Sequence, residues 1–297
     1  MAVKCKKTGF TVVELLTAVA IIAMLVALLI PALATVRKIA KETQQKAQFT
    51  TIDLALTAFK GDYGDYPPSG IRDRSGPGLY SGAQKLAEAM VGQDLMGFHE
   101  DSSFRSDLRA DLPGKPNYEL YPEDLDPRTS DDDRENLEAR KGPYLELATA
   151  SAFRLGGTEG LFEDTLWLRE DTYVLCDVFG VKKITFEGGE TAKAGTPILY
   201  YKANTSSKTM YSSEPEKQIY NSEDNMALIA LGRLPEPDPR DPHQLYEERD
   251  LFYRDDYKII DPKVRIDTGW PHRPDSYILI SAGADGEYGT SDDIFNF

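Results

Sequence analysis

The chain has 297 residues and a formal net charge of −15, because 49 acidic residues outnumber 34 lysines and arginines. A surface this acidic repels nucleic acid and anionic lipid, which argues against a nucleic-acid-binding protein. The hydrophobic fraction of 41% and the 16 tyrosines exclude a wholly disordered chain, and the length suits one large domain with an appendage.

The first nine residues form a short basic leader that contains Lys4, Lys6 and Lys7 and no acid. A product that lacks this leader carries a net charge of −18 and a single cysteine, Cys176, because Cys5 lies within the leader. Such a product cannot form an intramolecular disulfide. That is compatible with the cytoplasm, and it is equally allowed in the periplasm for a protein stabilised by its core or by a metal.

An uncharged segment runs from Leu15 to Ala34 with the sequence LLTAVAIIAMLVALLIPALA. Its length is what a helix needs to cross the hydrocarbon core of a bilayer. A cleaved secretory signal would end in a small-residue cleavage site, whereas here the helical pattern continues. Pro31 is expected to kink or locally melt the helix near the membrane exit. The basic residues before the segment are matched by Arg37, Lys38 and Lys41 after it, so charge does not determine the orientation.

Beyond the apolar segment the pattern becomes amphipathic, because Phe49, Ile52, Leu56 and Phe59 recur at spacings of three or four residues. These four side chains share one face of a helix. We therefore expect the helix to continue to about Lys60, with this face available to pack against a folded domain.

Glu14 is an ionisable residue at the start of the uncharged segment, where an unpaired carboxylate costs several kcal/mol. It therefore needs a partner. One interpretation is an interfacial acid that the dipole at the helix N-terminus stabilises. The other interpretation depends on the residues before it, in the string KKTGFTVVE that ends at Glu14.

The longer string KKTGFTVVELLTAVAIIAMLVALLIPAL resembles the type III signal of type IV pilins and type II secretion pseudopilins. The resemblance rests on the basic leader ending in Gly9, the aromatic Phe10, the acid at the fifth mature position, the apolar span and the proline. It implies that a prepilin peptidase cleaves between Gly9 and Phe10 and methylates the new amine of Phe10. It also implies that Glu14 pairs with the N-terminal amine of a neighbouring subunit during assembly.

This resemblance further implies an α+β, pilin-like fold in which a long N-terminal helix packs on a small antiparallel sheet with large loop insertions. The implied regions are a leader at residues 1–9, a transmembrane helix segment at 10–34, its amphipathic continuation at 35–60 and a periplasmic globular domain at 61–297. Residues 71–141 and 203–274 are expected to be insertions, since the mature chain would be longer than a compact major pseudopilin.

Breaker residues at positions 61–70 are predicted to end the first helix and begin a loop. A second helix is predicted at Ala83–Met96. The acid-rich run Asp131-Asp132-Asp133 is interpreted as a solvated loop, with a calcium site as the alternative.

Four short segments rich in β-branched and aromatic residues are predicted to be strands of an antiparallel sheet packed on the helix. They are Thr172–Asp177, Lys183–Glu187, Pro197–Lys202 and Ser276–Ser281. Residues 177–180 and 197–201 together resemble a pseudopilin hairpin that is interrupted by the residues between them.

The stretch from Leu234 to Pro274 is rich in proline and charge and is predicted to be an irregular surface loop. The three histidines, His99, His243 and His272, lie in loop-like contexts without the spacing of a zinc site. The sequence also contains no phosphate-binding glycine loop and no nucleophile motif. We therefore expect no catalysis.

The C-terminal residues 281–297 contain glycines and three candidate Ca²⁺ ligands, Asp285, Asp292 and Asp293. A bent loop with carboxylates at both ends can wrap its oxygens around one Ca²⁺. The spacing is not that of an EF-hand, and a solvated acidic turn fits the spacing at least as well. The segment resembles the calcium loop of major pseudopilins, which implies that the three aspartates, with carbonyls near Ala282, bind a structural Ca²⁺.

The expected function is a structural subunit of a type II secretion pseudopilus, a periplasmic filament for protein export. The alternative is a type IV pilin or minor pilin of a surface fibre. Such pilins commonly have a C-terminal disulfide, which the chain without its leader cannot form, because it would have one cysteine. The implied partners are other copies and other pseudopilins through helix bundling, the prepilin peptidase and an inner-membrane assembly platform. The protein would cross the inner membrane once, with its C-terminal domain in the periplasm.

Overall fold

In the computed structural model the described residues are 11–71, 78–186, 188–212, 214, 217–254, 257–264 and 269–297. The chain divides into two compact units, Met1–Thr43 and Gln44–Phe297. Helix α1, Val12–Tyr63, contributes residues to both units.

In the first unit, α1 continues through Pro31 without a break, so the predicted local melting is not seen. A proline removes only one backbone donor from a helix, and the flanking hydrogen bonds keep the helix intact here. The described residues up to Lys41 are all exposed. This part of α1 therefore has no apolar contact that would hold it in water.

The second unit contains the rest of α1 and, among its described residues, short helices and strands joined by long irregular segments. The helices are α2 (Gly82–Val91), α3 (Asp131–Glu138), α4 (Leu147–Ala150), α5 (Met226–Ile229) and α6 (Gln244–Glu247). The strands are β1 (Phe98–His99), β2 (Arg109–Leu112), β3 (Lys115–Glu119), β4 (Arg140–Lys141), β5 (Ala152–Arg154), β6 (Tyr173–Leu175), β7 (Lys182–Thr185), β8 (Thr191–Ala194), β9 (Leu199–Lys202), β10 (Tyr277–Ser281) and β11 (Ile294–Phe295).

The central sheet has three antiparallel strands in the order β11-β10-β9. Its register pairs Tyr277 with Lys202 and Ile280 with Leu199. The remaining strands form four two-stranded ribbons, β1–β4, β2–β3, β5–β6 and β7–β8. The α+β prediction is confirmed, and strands β6, β7, β9 and β10 lie where the four strands were predicted, with ends that differ by at most two residues.

The side chains of β9 and β10 enter two separate hydrophobic clusters, because successive residues of a strand point to opposite faces of the sheet. One cluster contains Leu199, Tyr201, Ile278 and Ile280. The other contains Ile198, Tyr200, Tyr277 and Leu279. Both faces of this strand pair are therefore buried.

The first face is covered by the second half of α1 together with α2. The predicted amphipathic stripe, Phe49, Ile52, Leu56 and Phe59, is at most 3% exposed and lies in the same cluster as Tyr200. The prediction that this part of the helix packs on the sheet is confirmed.

Asp53 lies on the same segment of α1 and binds the C-terminal part of the sheet. Its carboxylate accepts hydrogen bonds from the Arg273 guanidinium at 2.9 and 3.3 Å, from the Tyr277 hydroxyl at 2.8 Å and from the Asn296 amide at 3.1 Å. A charged carboxylate with three donors of this kind fixes how the helix lies on the strands.

The second face is covered by residues of the 203–274 segment. Leu245, Phe252 and Ile259 are buried in the cluster that contains Tyr201. The prediction of a surface loop from Leu234 to Pro274 is therefore wrong for these residues, although the segment is irregular as predicted. Its apolar residues come singly or in pairs between prolines and charges, so they show no helical or strand period.

Two other predictions differ from the structure at particular residues. The acidic run at 131–133 is the first turn of α3 and not a loop; the Asp133 amide donates to the Ser130 hydroxyl at 3.2 Å, and acids in a first turn are stabilised by the helix dipole. Helix α2 ends at Val91 and not at Met96, because Gly92 has φ +78° and lies against the Gly97 carbonyl.

The resemblance to an interrupted hairpin has a simple structural counterpart. The Asp177 amide donates to the Thr196 carbonyl at 2.9 Å, and Cys176 forms an isolated bridge with Pro197. The residues in between contain the separate hairpin β7–β8. The interruption is therefore an added ribbon between two segments that meet at an isolated antiparallel bridge.

The turn Ser222–Asn225 ties the inserted segment to both α2 and β9. The Asn225 side chain accepts from the Ala83 amide at 2.9 Å and donates to the Tyr200 carbonyl at 2.8 Å. Next to it, Asp224 is 4% exposed and accepts from the Ser69 hydroxyl, while its Oδ1 has no hydrogen-bond partner among the described residues. Burial raises the pKa of Asp224 to about 6.

Replacing Asp224 with Asn should change the pH dependence of stability. The folded-state pKa lies above the unfolded value of 3.8, so the folded chain binds more protons between these two values. The free energy of unfolding therefore falls as pH rises through this window, by about 3 kcal/mol for this group at most. Thermal melts at pH 4.5 and 7.5 should show Asp224→Asn gaining stability over the wild type at the higher pH.

The control is Asp241→Asn at an exposed position, which should shift the melting temperature equally at both pH values. If Asp224→Asn differs from the wild type by the same amount at pH 4.5 and 7.5, the buried carboxyl does not titrate as described.

Candidate functional site

The N-terminal signal is only partly within the described residues. The predicted cleavage pair, Gly9 and Phe10, lies outside them. Thr11 and Glu14 are described, and they lie at the start of α1.

Thr11 and Glu14 form a reciprocal cap at the N-terminus of α1. The Glu14 amide donates to the Thr11 hydroxyl at 3.2 Å, and the Glu14 carboxylate accepts from the Thr11 amide at 2.9 Å and from its hydroxyl at 2.8 Å. This is the capping box, in which a Thr and a Glu three residues later satisfy two free amides of the first turn. Glu14 thus has a partner within its own chain. This agrees with the interpretation that Glu14 is an interfacial acid stabilised at the helix N-terminus.

The apolar part of α1 has the properties of a membrane anchor. Among the described residues one helix, α1, is long and apolar enough to cross a bilayer; its best 18-residue window has a mean hydropathy of 2.8 and none of it is buried. Ile21 is 61% exposed and Leu28 is 65% exposed, although neither side chain can form a hydrogen bond with water. An apolar surface this continuous is stable only in lipid or against another apolar surface.

The C-terminal acidic loop begins after β10 and is closed by its own hydrogen bonds. The Asp285 carboxylate accepts from the Thr290 hydroxyl at 2.8 Å and from the Glu287 amide at 3.0 Å. Gly283 has φ +70°, and a Cβ at this position would lie 2.2 Å from the Asp292 carbonyl. A glycine is therefore required where the two ends of the loop meet.

Asp293 is the buried acid of the loop, with 4% exposure. Its Oδ2 accepts from the Tyr257 hydroxyl at 2.6 Å and from the Gly289 amide at 2.8 Å, while its Oδ1 has no hydrogen-bond partner among the described residues. Burial raises the pKa of Asp293 to about 7, and the nearby charge of Asp285 acts in the same direction.

The three predicted Ca²⁺ ligands lie in one loop, but their carboxylates do not converge. Asp285 is exposed and bonded within the loop, Asp292 is half-buried, and Asp293 is buried. The described part of the chain contains no group of three or more His, Cys, Asp or Glu side chains arranged to bind a metal ion. One feature still fits a cation, namely the buried and unpaired Oδ1 of Asp293.

The loop is also bonded to the inserted 203–274 segment, a connection that the sequence analysis missed. The Tyr288 amide donates to His243 Nδ1 at 3.2 Å, and the Leu245 amide donates to the Tyr288 carbonyl at 3.1 Å. Arg233 pairs with Glu287 at 3.0 Å. Burial lowers the pKa of His243 to about 4, so its imidazole is a neutral acceptor here. No sequence pattern connects residues that lie some 45 positions apart in this way.

Comparison with known protein families gives one match, to the prokaryotic N-terminal methylation motif at residues 4–30. The match spans the predicted cleavage pair, the capping box and most of the apolar helix. No curated protein and no solved structure matches the chain. The motif indicates a type IV pilin-like or pseudopilin-type protein, and it suggests a structural role for a chain with a helical membrane anchor.

Proposed function

We propose that the chain is a structural subunit of a type II secretion pseudopilus, processed by a prepilin peptidase and assembled with its own copies and other pseudopilins on an inner-membrane platform. The methylation motif at residues 4–30 carries this proposal. The exposed apolar helix supports it, since such helices can bundle in the core of a filament. The second unit would lie in the periplasm.

A type IV pilin or minor pilin of a surface fibre has the same N-terminal signal and is the alternative. Cys176 favours the pseudopilin, because it is buried and free, and processing after Gly9 would remove Cys5. The processed chain would depend on its core and its loop contacts for stability, and not on a disulfide.

Intact mass spectrometry of the protein from membranes tests the processing step. The wild-type chain should begin at Phe10 and carry one added methyl group. Gly9→Leu should retain residues 1–9, because the residue before the cleaved bond is changed, whereas Ala2→Leu in the same leader should be processed normally. A wild-type chain that keeps its leader would contradict the proposal.

Glu14 has two roles to separate, the cap and a charge pair with the N-terminal amine of the next subunit. Substitution by Gln keeps a capping box, because Gln at this position accepts the same bond, but it removes the charge. Thr11→Ala removes the cap and keeps the charge. A lost cap costs about 1 kcal/mol, whereas a lone ammonium buried without its counter-ion costs about 3–5 kcal/mol.

We therefore expect Glu14→Gln to abolish filaments and Thr11→Ala to leave them, as measured by electron microscopy and by pelleting of filaments from cells that overproduce the chain. Membrane levels of each variant, measured by immunoblotting, control for loss of the protein. Filament formation by Glu14→Gln at the wild-type level would show that the charge pair is not needed.

Calcium binding by Asp285, Asp292 and Asp293 remains a proposal. It is supported by the unpaired Oδ1 of Asp293, and it would require the Asp285 carboxylate to leave the Thr290 hydroxyl. Bound Ca²⁺ would offset two of the three negative charges and hold the loop closed.

Thermal melts with Ca²⁺ and with a chelator test this. At a concentration 100 times the dissociation constant, ligand binding adds about 2.7 kcal/mol, or roughly 5–10 °C in a domain of this size. We expect that difference in the wild type and in the Asp241→Asn control, and a much smaller one in Asp285→Asn. An unchanged melting temperature in the wild type would discard the site.

A further inference from the structure

The turn that contains Leu166 and Trp167 presents two large apolar side chains to solvent in the second unit. Trp167 is 66% exposed and Leu166 is 39% exposed. The next residue, Leu168, is 5% exposed and packs in the core. We call the exposed pair the Leu166–Trp167 tip.

The tip is held rigidly by hydrogen bonds within the turn and to the core. The Leu166 amide donates to Asp164 Oδ1 at 2.8 Å, and the Thr165 hydroxyl donates to the Leu168 carbonyl at 2.8 Å. The Trp167 carbonyl accepts from the Leu79 amide at 3.0 Å. The tip is thus already ordered, so the binding of a partner would cost little conformational entropy in the tip.

Leu166 also has φ +53°, a left-handed conformation that is unfavourable for a side chain of this kind. Such a backbone persists only where the surroundings enforce it, and it is found preferentially at binding sites. Strain and exposure therefore coincide at one apolar pair that adds nothing to the core.

Two adjoining depressions of about 780 and 640 Å³ lie beside the tip. The larger one is lined by Trp167 itself, and Arg154 and Arg169 line both. We call them together the acidic trough, because carboxylates outnumber cations among the described residues of the larger depression. Its five carboxylates are those of Glu123, Glu163, Asp164, Glu170 and Asp171.

The two arginines neutralise only part of this charge. Arg169 forms a paired ion bridge with Asp171, and Arg154 lies 3.9 Å from Glu123. Among the described residues, no cationic group lies within 4 Å of Glu163, Asp164 or Glu170. The Lys182 ammonium donates a hydrogen bond to the Leu161 carbonyl, and its electrostatic attraction to the Glu163 carboxylate acts over a longer distance.

We propose that the Leu166–Trp167 tip and the acidic trough form a docking site for a basic segment of a different protein, which places an apolar side chain on the tip and Lys or Arg side chains along the trough. Tryptophan next to charged groups is the composition of a binding hot spot. The unpaired carboxylates select a cationic partner. At this site a second copy of the chain is disfavoured, because the proposed filament contacts are made by the apolar helices and each processed copy would carry a net charge of −18.

The probe is a labelled decapeptide of alternating Lys and Gly with two central Leu residues, titrated against the full chain in non-ionic detergent micelles. Fluorescence anisotropy gives the affinity. The chain has two tryptophans, so Trp270→Phe leaves Trp167 as the only tryptophan, and its emission under tryptophan-selective excitation should shift to shorter wavelength when the peptide binds. Two further peptides carry Glu in place of Lys, or Gly in place of Leu.

We expect Trp167→Ala to weaken binding at least tenfold and Tyr211→Ala, at another aromatic that is 64% exposed, to weaken it less than threefold. Leu166→Gly should also weaken binding without lowering the melting temperature, because glycine adopts the left-handed conformation without strain. Glu163→Gln with Glu170→Gln should weaken binding more than Glu146→Gln with Glu190→Gln, both of which are exposed elsewhere.

The proposal is overturned if Trp167→Ala binds as the wild type does, if Tyr211→Ala is equally weakened, or if the peptide without Leu or the peptide with Glu binds as tightly. Sedimentation velocity of the chain alone is the remaining measurement. A Trp167→Ala variant that forms smaller species than the wild type would make the tip a contact between copies, and it would also overturn the proposal.

Discussion

The structure depends on the burial of both faces of one strand pair, β9 and β10. Sequence alternation sends Tyr200 and Leu279 to one side and Tyr201 and Ile280 to the other. Each side needs its own cover, since an open apolar face of this size would be unstable in water. The second half of α1 covers one side, and the inserted 203–274 segment covers the other. Asp53 fixes the first of these contacts, and Asn225 connects the second to α2 and β9.

The parts of the fold that follow a local period could be predicted from the sequence. The apolar stripe from Phe49 to Phe59 predicted the packed half of α1, and the short β-branched runs predicted β6, β7, β9 and β10. The cover formed by Leu245, Phe252 and Ile259 could not be predicted in this way, because isolated apolar residues among prolines have no period and are buried only by contacts distant in sequence. The acids at 131–133 were misinterpreted because a helix dipole and a Ser130 cap make acids favourable at a helix start.

In the candidate site, too, the features with a local sequence pattern could be predicted, whereas the contacts between residues distant in sequence could not. The signal around Gly9 and Phe10 could be recognised because it is a contiguous string, and the family match covers it. The capping box is also visible in the sequence, as Thr and Glu three residues apart. The resemblance implied a different partner for Glu14, namely the N-terminal amine of a neighbouring subunit. The cap uses one carboxylate oxygen, Oε2, which leaves Oε1 for the proposed pair with the amine of a neighbouring subunit. The ties of Tyr288 to His243 and Leu245 depend on tertiary structure alone.

The bonds of Asp53 also have a consequence for synthesis. Its partners Arg273 and Asn296 lie 220 and 243 positions further along the chain, so helix α1 is made long before the residues that bind it. Contacts between such distant residues form slowly, and the apolar stripe lacks the part of its cover that comes from β10 and β11 until these last strands have been translated. Folding of the second unit can therefore be completed only after nearly the whole chain has been synthesised.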